Sequence, residues 1–504
     1  MFAAVCCARV TNTNPADAPA DGPCSQVDCD RPVLPDVPSS GFDTTDEPLD
    51  APADVSEPID ATTDCTPRAT RTCYSGPPGT AGVGTCVRGV QHCGPDGAWP
   101  IACEGERLPA RRETCGDGVD DDCNGVADDR CAPPILDVAL GGGHSLVLLT
   151  DGSVRAFGND YFGQLGDGDE SGRSVAVPVL GLADVTGVAA GGYHSCGLRR
   201  DGSVWCWGAN WARQLGHIST STCTRFGFVC TPMATRVAGI GPALLIGTGY
   251  CHTCVGLADR SVVCWGCGGD GQLGRVPADT CRDAWTRLSG PCSAAPIVVS
   301  GLSGAIGLSL GENFTCGLMP SGQIECLGGN RVGQLGDGTT TDRMATVPVV
   351  RVTDAVQVSA SGRHAAAVLS DGSAVGWGQS TGLGLAGSPC GAAECSPLAE
   401  PLNGGVGVAE VRVGGAHLCY RRADGGVACL GSNDVGQLGD GTAASRAVPA
   451  AAIGLTPARR LFVGAGHSCV LLLSGVMRCW GAGAEGQLGN GAFLDSSVPV
   501  DVVF

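Results

Sequence analysis

Short apolar runs, bounded by glycine-rich or aspartate-rich turns, recur along residues 132–504, and their length predicts β-strands. Each unit opens on small residues and a histidine, continues as an apolar strand, turns at a pair such as Asp151-Gly152, and returns to a strand that ends near Trp-Gly. Gly-Gln-Leu-Gly follows in five units, as Arg213-Gln-Leu-Gly216 in the second, and in degraded form in the fifth. The histidine position occurs at His144, His194, His252, Phe314, His364, His417 and His467, 50 to 62 residues apart. Seven such units predict an all-β fold, a seven-bladed β-propeller.

Five units hold two cysteines ten residues apart, one in each strand of the predicted hairpin. These pairs are Cys196 with Cys206, Cys254 with Cys264, Cys316 with Cys326, Cys419 with Cys429, and Cys469 with Cys479. The other two units lack both cysteines, which indicates that the two positions touch. A three-residue loop with a left-handed third residue makes them a non-hydrogen-bonded cross-strand pair, where side chains come closest. We therefore predict intra-hairpin disulfides; zinc is less favoured, because each hairpin offers only two sulfurs.

The second strand of each hairpin is apolar on both faces. In the second unit, Val204 and Trp207 point to opposite sides of the strand, and the other units follow the same pattern. Stacking of blades around a ring covers both faces. The chain ends with a strand at 498–502 that matches 175–180, and the strand expected to follow it is found at 135–140. We therefore expect strands from the two ends of the domain to close the ring.

Residues 132–504 resemble the regulator of chromosome condensation repeat family of seven-bladed propellers, in the register of the His, Asp-Gly, Trp-Gly and Gly-Gln-Leu-Gly positions. The best-known members are exchange factors for small GTPases, and others bind proteins outside the cell, including an inhibitor of β-lactamases. The resemblance therefore implies a binding or nucleotide-exchange function. The exchange residues lie outside the repeat motif, so none is carried over to this chain. The cysteine pairs differ from the intracellular members and suit an oxidising compartment.

The repeated histidine admits a catalytic or metal-binding interpretation, since six of the eight histidines occupy it. Ring symmetry separates them, one to a blade, and Phe314 shows that an apolar ring is tolerated there. We expect these histidines to form structural hydrogen bonds between strands.

Composition narrows the function classes. All 31 basic residues are arginine, which excludes a Walker-type phosphate loop and a Schiff-base lysine. The formal charge of −19 argues against nucleic acid or an anionic membrane surface as a partner. No HExxH motif is present. We predict that the chain is not an enzyme and has no catalytic residues; a hydrolytic propeller is the least favoured class.

The first 64 residues differ in composition from the rest. Residues 1–14 include Phe2-Ala-Ala-Val-Cys-Cys7, which is typical of the end of an export or lipoprotein signal; the alternative is an unstructured N-terminus without a lipid anchor. Residues 15–64 hold thirteen acidic residues against one arginine, together with many prolines, alanines and threonines. This composition predicts a disordered, self-repelling linker.

Residues 65–131 form a small module with eight cysteines, which we expect to pair among themselves. Its Asp-rich stretch provides oxygen ligands at calcium-loop spacing. These ligands are Asp120, Asp122, Asn124, the Val126 carbonyl and Asp128. The stretch resembles the calcium repeats of extracellular matrix proteins and a cysteine-rich metal-binding module of secreted bacterial proteins, although Cys131 stands where a bidentate Glu would sit. We predict weak Ca²⁺ binding, and the alternative is an Asp/Asn/Gly turn without an ion.

The connection between Gly-Gln-Leu-Gly and the proline of the next strand has 15 and 21 residues in the second and third units, against 11 in the first and fourth and 9 in the sixth and seventh. All inserts of this connection project from one side of the disc. Local disulfides are predicted for Cys223 with Cys230, Cys281 with Cys292, and Cys390 with Cys395, and Cys251 with Cys267 is a further pair. The predicted partner-binding residues are Arg225, Phe226, Phe228, Arg282, Trp285 and Arg287, the residue types that dominate binding hot spots. The alternative is variable loops around a small satellite core with no ligand.

From the sequence we predict an exported or cell-surface binding protein. We expect a monomer whose propeller recognises a protein or a glycan. The membrane is expected as a partner only through a lipid anchor at the N-terminus. The alternative is a cytoplasmic exchange factor for a small GTPase, which would carry free thiols instead of disulfides.

Overall fold

The computed structural model describes residues 65–110, 119–125, 134–282, 289–380, 383–385, 387–390, 393–455 and 457–504. Two compact units divide the chain, residues 1–129 and residues 130–504. The predicted export signal and acidic linker lie outside the described residues. Within the described ranges, no helix has the length and hydrophobicity needed to cross a membrane.

The described part of the first unit is a small sheet held by cross-links. Strand β1 (Thr70–Cys73) pairs antiparallel with β2 (Gly89–His92). The disulfides are Cys65–Cys93, Cys73–Cys103 and Cys86–Cys123. The buried apolar side chains of this described part are all cysteines. Disulfides therefore replace an apolar core, as expected for so small a module.

The second unit is a seven-bladed propeller in which each blade is an antiparallel sheet of consecutive strands. Blade 1 contains β3 (Ile135–Leu140), β4 (His144–Leu149), β5 (Val154–Gly158) and β6 (Arg173–Pro178); blade 2 contains β7 (Val185–Ala190), β8 (His194–Arg199), β9 (Val204–Ala209) and β10 (Cys230–Arg236); blade 3 contains β11 (Ala243–Thr248), β12 (His252–Leu257), β13 (Val262–Cys267), β14 (Asp279–Arg282) and β15 (Ser289–Val298), followed by a 3₁₀ turn at Ser300–Leu302. Blade 4 contains β16 (Gly307–Leu310), β17 (Phe314–Leu318), β18 (Ile324–Gly328) and β19 (Arg343–Pro348); blade 5 contains β20 (Ala355–Ser361), β21 (His364–Leu369), β22 (Ala374–Gln379), β23 (Ser388–Cys390) and β24 (Ala393–Pro401). Blade 6 contains β25 (Val408–Val413), β26 (His417–Arg422), β27 (Val427–Gly431) and β28 (Arg446–Ala451); blade 7 contains β29 (Ala458–Val463), β30 (His467–Leu472), β31 (Met477–Gly481) and β32 (Ser496–Asp501).

The cysteine pairs with ten-residue spacing lie directly opposite each other in the two central strands of a blade. Cys196 faces Cys206 with the Cα atoms 4.1 Å apart, the close approach of a non-hydrogen-bonded pair. Glycine takes the left-handed position of the turn, as at Gly202 with φ +80°, and Arg260 adopts φ +71° at that position in blade 3. The other four predicted disulfides are present in the same register: Cys254–Cys264, Cys316–Cys326, Cys419–Cys429 and Cys469–Cys479.

The apolar core lies between blades. Trp207 of blade 2 packs in one cluster with Leu146 and Leu165 of blade 1, and each of these side chains is completely buried. Blades 7 and 1 share a cluster of the same kind, which includes Val147 and Leu471. Both faces of the central strands are therefore covered by neighbouring blades.

The expectation that strands from the two ends of the domain close the ring is wrong in one respect. Strand β3 pairs with β4 and strand β32 pairs with β31, so neither end contributes a strand to the other end's blade. The sequence units start in mid-blade, and the short connection after β3 favours pairing with the next strand along the chain. Side-chain packing and hydrogen bonds between complete blades join the ends instead, including the bond from the Ala465 amide to the Gly141 carbonyl.

Five of the six repeated histidines form hydrogen bonds between neighbouring blades. His144 Nε2 lies 2.9 Å from the Ser195 hydroxyl of the next blade, and that hydroxyl donates to the Gln164 carbonyl. Since the hydroxyl's single hydrogen goes to the carbonyl, the imidazole donates through Nε2. The same linkage joins His194 to Thr253, His252 to Thr315, His417 to Ser468 and His467 to Ser145.

Candidate protein-binding face

The insert of blade 2 is an ordered loop between β9 and β10. Cys223 and Cys230 form a disulfide, and Thr222 pairs with Val229 in an isolated bridge. The disulfide closes a loop of few residues and so lowers the conformational entropy that the loop would lose on binding a partner.

A carboxylate of blade 1 anchors this loop. Glu170 accepts hydrogen bonds from the Thr224 amide at 2.9 Å, from the Thr224 hydroxyl at 2.7 Å, and from the Arg225 amide at 3.3 Å. These bonds hold the tip of the blade 2 insert against the corresponding connection of blade 1. The two blades therefore present one continuous surface.

Aromatic rings converge under the loop. Phe162 is completely buried, and its ring centroid lies 4.9 Å from Trp211 and 5.4 Å from Tyr193. Phe228 packs against this buried group, whereas Phe226 remains 40% exposed. The structure thus contains the satellite core that was the alternative interpretation, with an exposed aromatic ring above it.

Arg225 extends the aromatic surface with a positive charge. Its guanidinium carbon lies 3.9 Å from the Tyr161 ring centroid and 5.6 Å from that of Phe226. Tyr161 and Phe226 meet edge to face at 5.8 Å. We call the surface formed by Arg225, Tyr161 and Phe226 the aromatic face.

Sequence reasoning identified Arg225, Phe226 and Phe228 but missed Tyr161, Phe162, Tyr193 and Trp211. The repeat alignment did contain a signal for them: an aromatic residue two positions before the Gly-Gln-Leu-Gly motif. This position is aromatic in blade 1 (Tyr161) and blade 2 (Trp211), but it is Arg331 in blade 4 and Asp434 in blade 6. Only blades 1 and 2, which carry and contact the insert, have an aromatic ring at this position.

The insert of blade 3 forms an additional hairpin of β14 with β15, stapled by Cys281–Cys292. Cys251–Cys267 lies at its base, and Arg213 of blade 2 forms an ion pair with Asp279. Arg282 ends β14, while the predicted hot-spot residues Trp285 and Arg287 lie outside the described residues. Blade 5 carries the comparable Cys390–Cys395 staple.

A pocket of about 360 Å³ lies beside the blade 3 hairpin. Tyr250, Asp270, Glu312 and Arg363 are among its lining residues. Arg363 pairs with Glu312 at 2.8 Å, and Arg331 pairs with Asp270 at 3.4 Å, so its charges are largely balanced.

The predicted calcium loop is described only in part. The Asp120 carboxylate accepts the Asn124 amide at 3.1 Å and the Gly125 amide at 2.8 Å, and Asp122 accepts the Asn124 amide at 3.2 Å. Val126 and Asp128 lie outside the described residues. The turn that the spacing predicts is present, and calcium binding remains a prediction.

Two stretches of the propeller match a known repeat family. The family model described as "Regulator of chromosome condensation (RCC1) repeat" matches residues 135–164 and 185–210. The chain is 28% identical over 200 residues to the human protein named "Probable E3 ubiquitin-protein ligase HERC6", and the match covers 39% of this chain and 19% of that protein. It is 29% identical over 219 residues to the Arabidopsis thaliana "Ultraviolet-B receptor UVR8", covering 41% of this chain and 45% of the relative. The chain therefore spans less than half the length of each of these two relatives.

Solved structures share the fold. Human WBSCR16 superposes with a TM-score of 0.60 at 22% identity, covering 70% of this chain and 95% of that protein. Prp20p from Saccharomyces cerevisiae superposes with a TM-score of 0.58 at 18% identity, covering 71% of this chain and 87% of that protein. Prp20p has binding properties toward Gsp1p and histones.

Proposed function

We propose that this chain, whose propeller carries regulator of chromosome condensation repeats, is an exported binding protein that recognises a protein partner through its aromatic face. The repeat supports a binding role rather than a catalytic one. Its recurring residues, such as the buried histidine of five units, hold neighbouring blades together. A propeller used in this way presents loops on a rigid ring.

The observation that carries the proposal is the exposed, pre-ordered combination of Arg225 and Phe226. The disulfide Cys223–Cys230 and the Glu170 carboxylate hold the loop, and Tyr161 supports the guanidinium from below. Aromatic and arginine side chains dominate binding hot spots, and pre-ordering lowers the entropic cost of association.

Export is supported by the thiol chemistry. Every cysteine within the described residues belongs to a disulfide, twelve in all. Disulfides of this number are rare in a reducing cytoplasm.

The test compares two exposed apolar side chains on opposite sides of the disc. Phe226 lies on the connection between the third and fourth strands, whereas Ile306, 58% exposed, lies on the connection between blades 3 and 4. A partner captured from the extracellular fraction should bind the Phe226→Ala chain about 30-fold more weakly, since a hot-spot truncation costs about 2 kcal/mol. Ile306→Ala should bind as the unchanged chain does. Equal affinity of all three chains would contradict the proposal, and loss of binding after enzymatic removal of sugars from the partner would assign the face to a glycan.

Guanine-nucleotide exchange on a small GTPase is the second candidate, because the best-known proteins with this repeat have that activity. Its test is release of a fluorescent nucleotide from a panel of small GTPases, with the chain in oxidised and reduced form. Faster release by the reduced chain, together with free thiols in the native protein, would favour exchange over the proposed function.

A further inference from the structure

Three aspartates cluster in the connection between β5 and β6 of blade 1. The carboxylate oxygens of Asp160, Asp167 and Asp169 lie within 4.8 Å of one another. Asp160 is 0% exposed, and its Oδ2 has no hydrogen-bond partner, while its Oδ1 accepts the Leu165 amide at 2.7 Å. A buried carboxylate oxygen without a donor is unfavourable unless a proton or a cation meets it.

Blades 4 and 6 show what normally occupies this place. Asn330 stands at the position of Asp160 in blade 4: its Oδ1 accepts the Leu335 amide at 3.0 Å, and its Nδ2 donates to Asp337 Oδ1 at 2.9 Å. Thr339 donates its hydroxyl to the same Oδ1 at 2.8 Å. Blade 6 repeats the arrangement with Asn433, Asp440 and Thr442.

Blade 1 keeps the shared aspartate but replaces both of its donors with carboxylates. Asp160 takes the place of Asn330, and Asp169 takes the place of Thr339. Asp167 Oδ1 is left with the Asp169 amide at 3.3 Å as its donor. The two donors that share an aspartate oxygen as acceptor in blade 4 are therefore replaced in blade 1 by carboxylate oxygens that face that aspartate.

The negative charge of the cluster is balanced by an arginine in blade 4 but not in blade 1. In blade 4, Arg343 pairs with the single carboxylate of Asp337 at 2.9 Å. In blade 1, Arg173 pairs with Asp167 at 2.8 Å and also contacts Asp169, so one guanidinium faces three carboxylates. The excess of two negative charges equals the charge of one divalent cation.

We propose that Asp160, Asp167 and Asp169 bind a divalent cation, and that this ion replaces the two hydrogen-bond donors that blade 1 lacks. The ligand atoms are all oxygens and no sulfur or imidazole joins them, which selects a hard cation. Ca²⁺ is the best candidate, because it accepts irregular sets of carboxylate oxygens, whereas Mg²⁺ requires near-ideal octahedral geometry.

The electrostatics of the apo chain agree with this geometry. Burial, together with the charges of Asp167 and Asp169, raises the pKa of Asp160 to about 9. The competing state is therefore a neutral Asp160 carboxylic acid that donates to Asp167 as an asparagine would.

The site lies next to the aromatic face. Asp160 precedes Tyr161, and Asp169 precedes Glu170, whose carboxylate holds the blade 2 insert. A bound ion would order the strand connection that carries both supports.

The experiment uses the full chain with native disulfides, after treatment with a chelator, and titrates CaCl₂ by calorimetry and TbCl₃ by luminescence excited through nearby aromatic rings such as Tyr161. Asp160→Asn and Asp169→Thr restore the residues of blades 4 and 6, so each should fold and each should lose the blade 1 signal. The Asp120→Ala chain is the control for the calcium loop of the first unit and should keep that signal. We expect Ca²⁺ to bind with a Kd of about 10⁻⁴–10⁻³ M, the range of extracellular calcium modules.

Binding heat and terbium luminescence that are the same in the Asp160→Asn, Asp169→Thr and unchanged chains would overturn the proposal. That result would leave Asp160 as a neutral acid. Failure of this test would not affect the proposed partner binding, which is measured separately with Phe226→Ala.

Discussion

At the scale of single residues, the position after each repeated histidine decides whether neighbouring blades share a hydrogen bond. It holds a serine or threonine in five blades, but Ala365 in blade 5 and Leu418 in blade 6. Phe314 faces the first of these exceptions, so nothing polar is left unpaired there. His364 faces the second, and both of its ring nitrogens are buried without a partner. The interface of blades 5 and 6 therefore lacks the linkage that joins five of the other blade pairs.

This difference predicts opposite effects for two substitutions. Ser195→Ala removes the acceptor of the His144 Nε2 hydrogen and should lower the free energy of unfolding by about 1–3 kcal/mol, because a buried donor is left unsatisfied. His364→Phe places the residue found in blade 4 and should leave stability unchanged or raise it. Urea unfolding of the two variants beside the unchanged chain measures this, and equal destabilisation by both would contradict it.

At the scale of the element, the hairpin disulfide is an addition to a strand pair that forms without it. Leu146 faces Ala156 and Ala366 faces Gly376 in the same register as the five cysteine pairs. The turn and the ladder therefore set the geometry, and the disulfide stabilises it.

We expect replacement of both Cys196 and Cys206 by alanine to lower the free energy of unfolding by about 2–3 kcal/mol without changing the fold, since the cross-link restricts a short loop of the unfolded chain. Urea unfolding with circular dichroism measures both quantities. Peptide mapping without reduction is the control on the unchanged chain, and thiols found free or joined between blades would contradict the pairing.

The Asp-rich loop of the first unit is the second element with a testable property. We predict that it binds Ca²⁺ with a Kd of about 10⁻⁴–10⁻³ M, because Asp120, Asp122 and Asn124 lie in one turn at calcium-loop spacing. The heat of calcium binding assigned to this loop should disappear in Asp120→Ala and persist in Asp160→Asn. If Asp120→Ala has no effect on any calcium signal, only the turn interpretation survives.

At the scale of the whole molecule, the ring of buried histidines makes stability depend on pH. Burial lowers the pKa of His144, His194, His252 and His417 to about 3, and that of His364 and His467 to about 4. The unfolded chain binds these protons near its ordinary pKa of about 6.5, so below that pH the unfolded state holds more protons than the folded state. The contribution of these neutral histidines to the free energy of unfolding is therefore fully present above a pH of about 6.5. It falls as the pH drops toward 4.

The contribution of one ring can be isolated with His364→Phe. Removal of one such group should make the fall in unfolding free energy shallower by about 1 kcal/mol per pH unit between about pH 6 and pH 4.5. Urea unfolding across that range gives the slope for both chains. Parallel slopes would show that His364 keeps its ordinary pKa in the folded state.

The amino-acid sequence by itself determined the units of this protein: seven repeated modules, their hairpin turns, and the residues that oppose each other across a hairpin. These features follow from local rules, since strand alternation, loop length and glycine preference act over about ten residues. For that reason the disulfide between Cys196 and Cys206 could be predicted from the sequence. The same holds for the four disulfides formed by Cys264, Cys326, Cys429 and Cys479.

Only the tertiary structure decided which residues meet between blades. His144 bonds to Ser195, 51 residues away, and Arg225 of blade 2 rests on Tyr161 of blade 1. Such contacts arise because blade packing brings distant residues together, and the local pattern that specifies each blade carries no direct record of its neighbour.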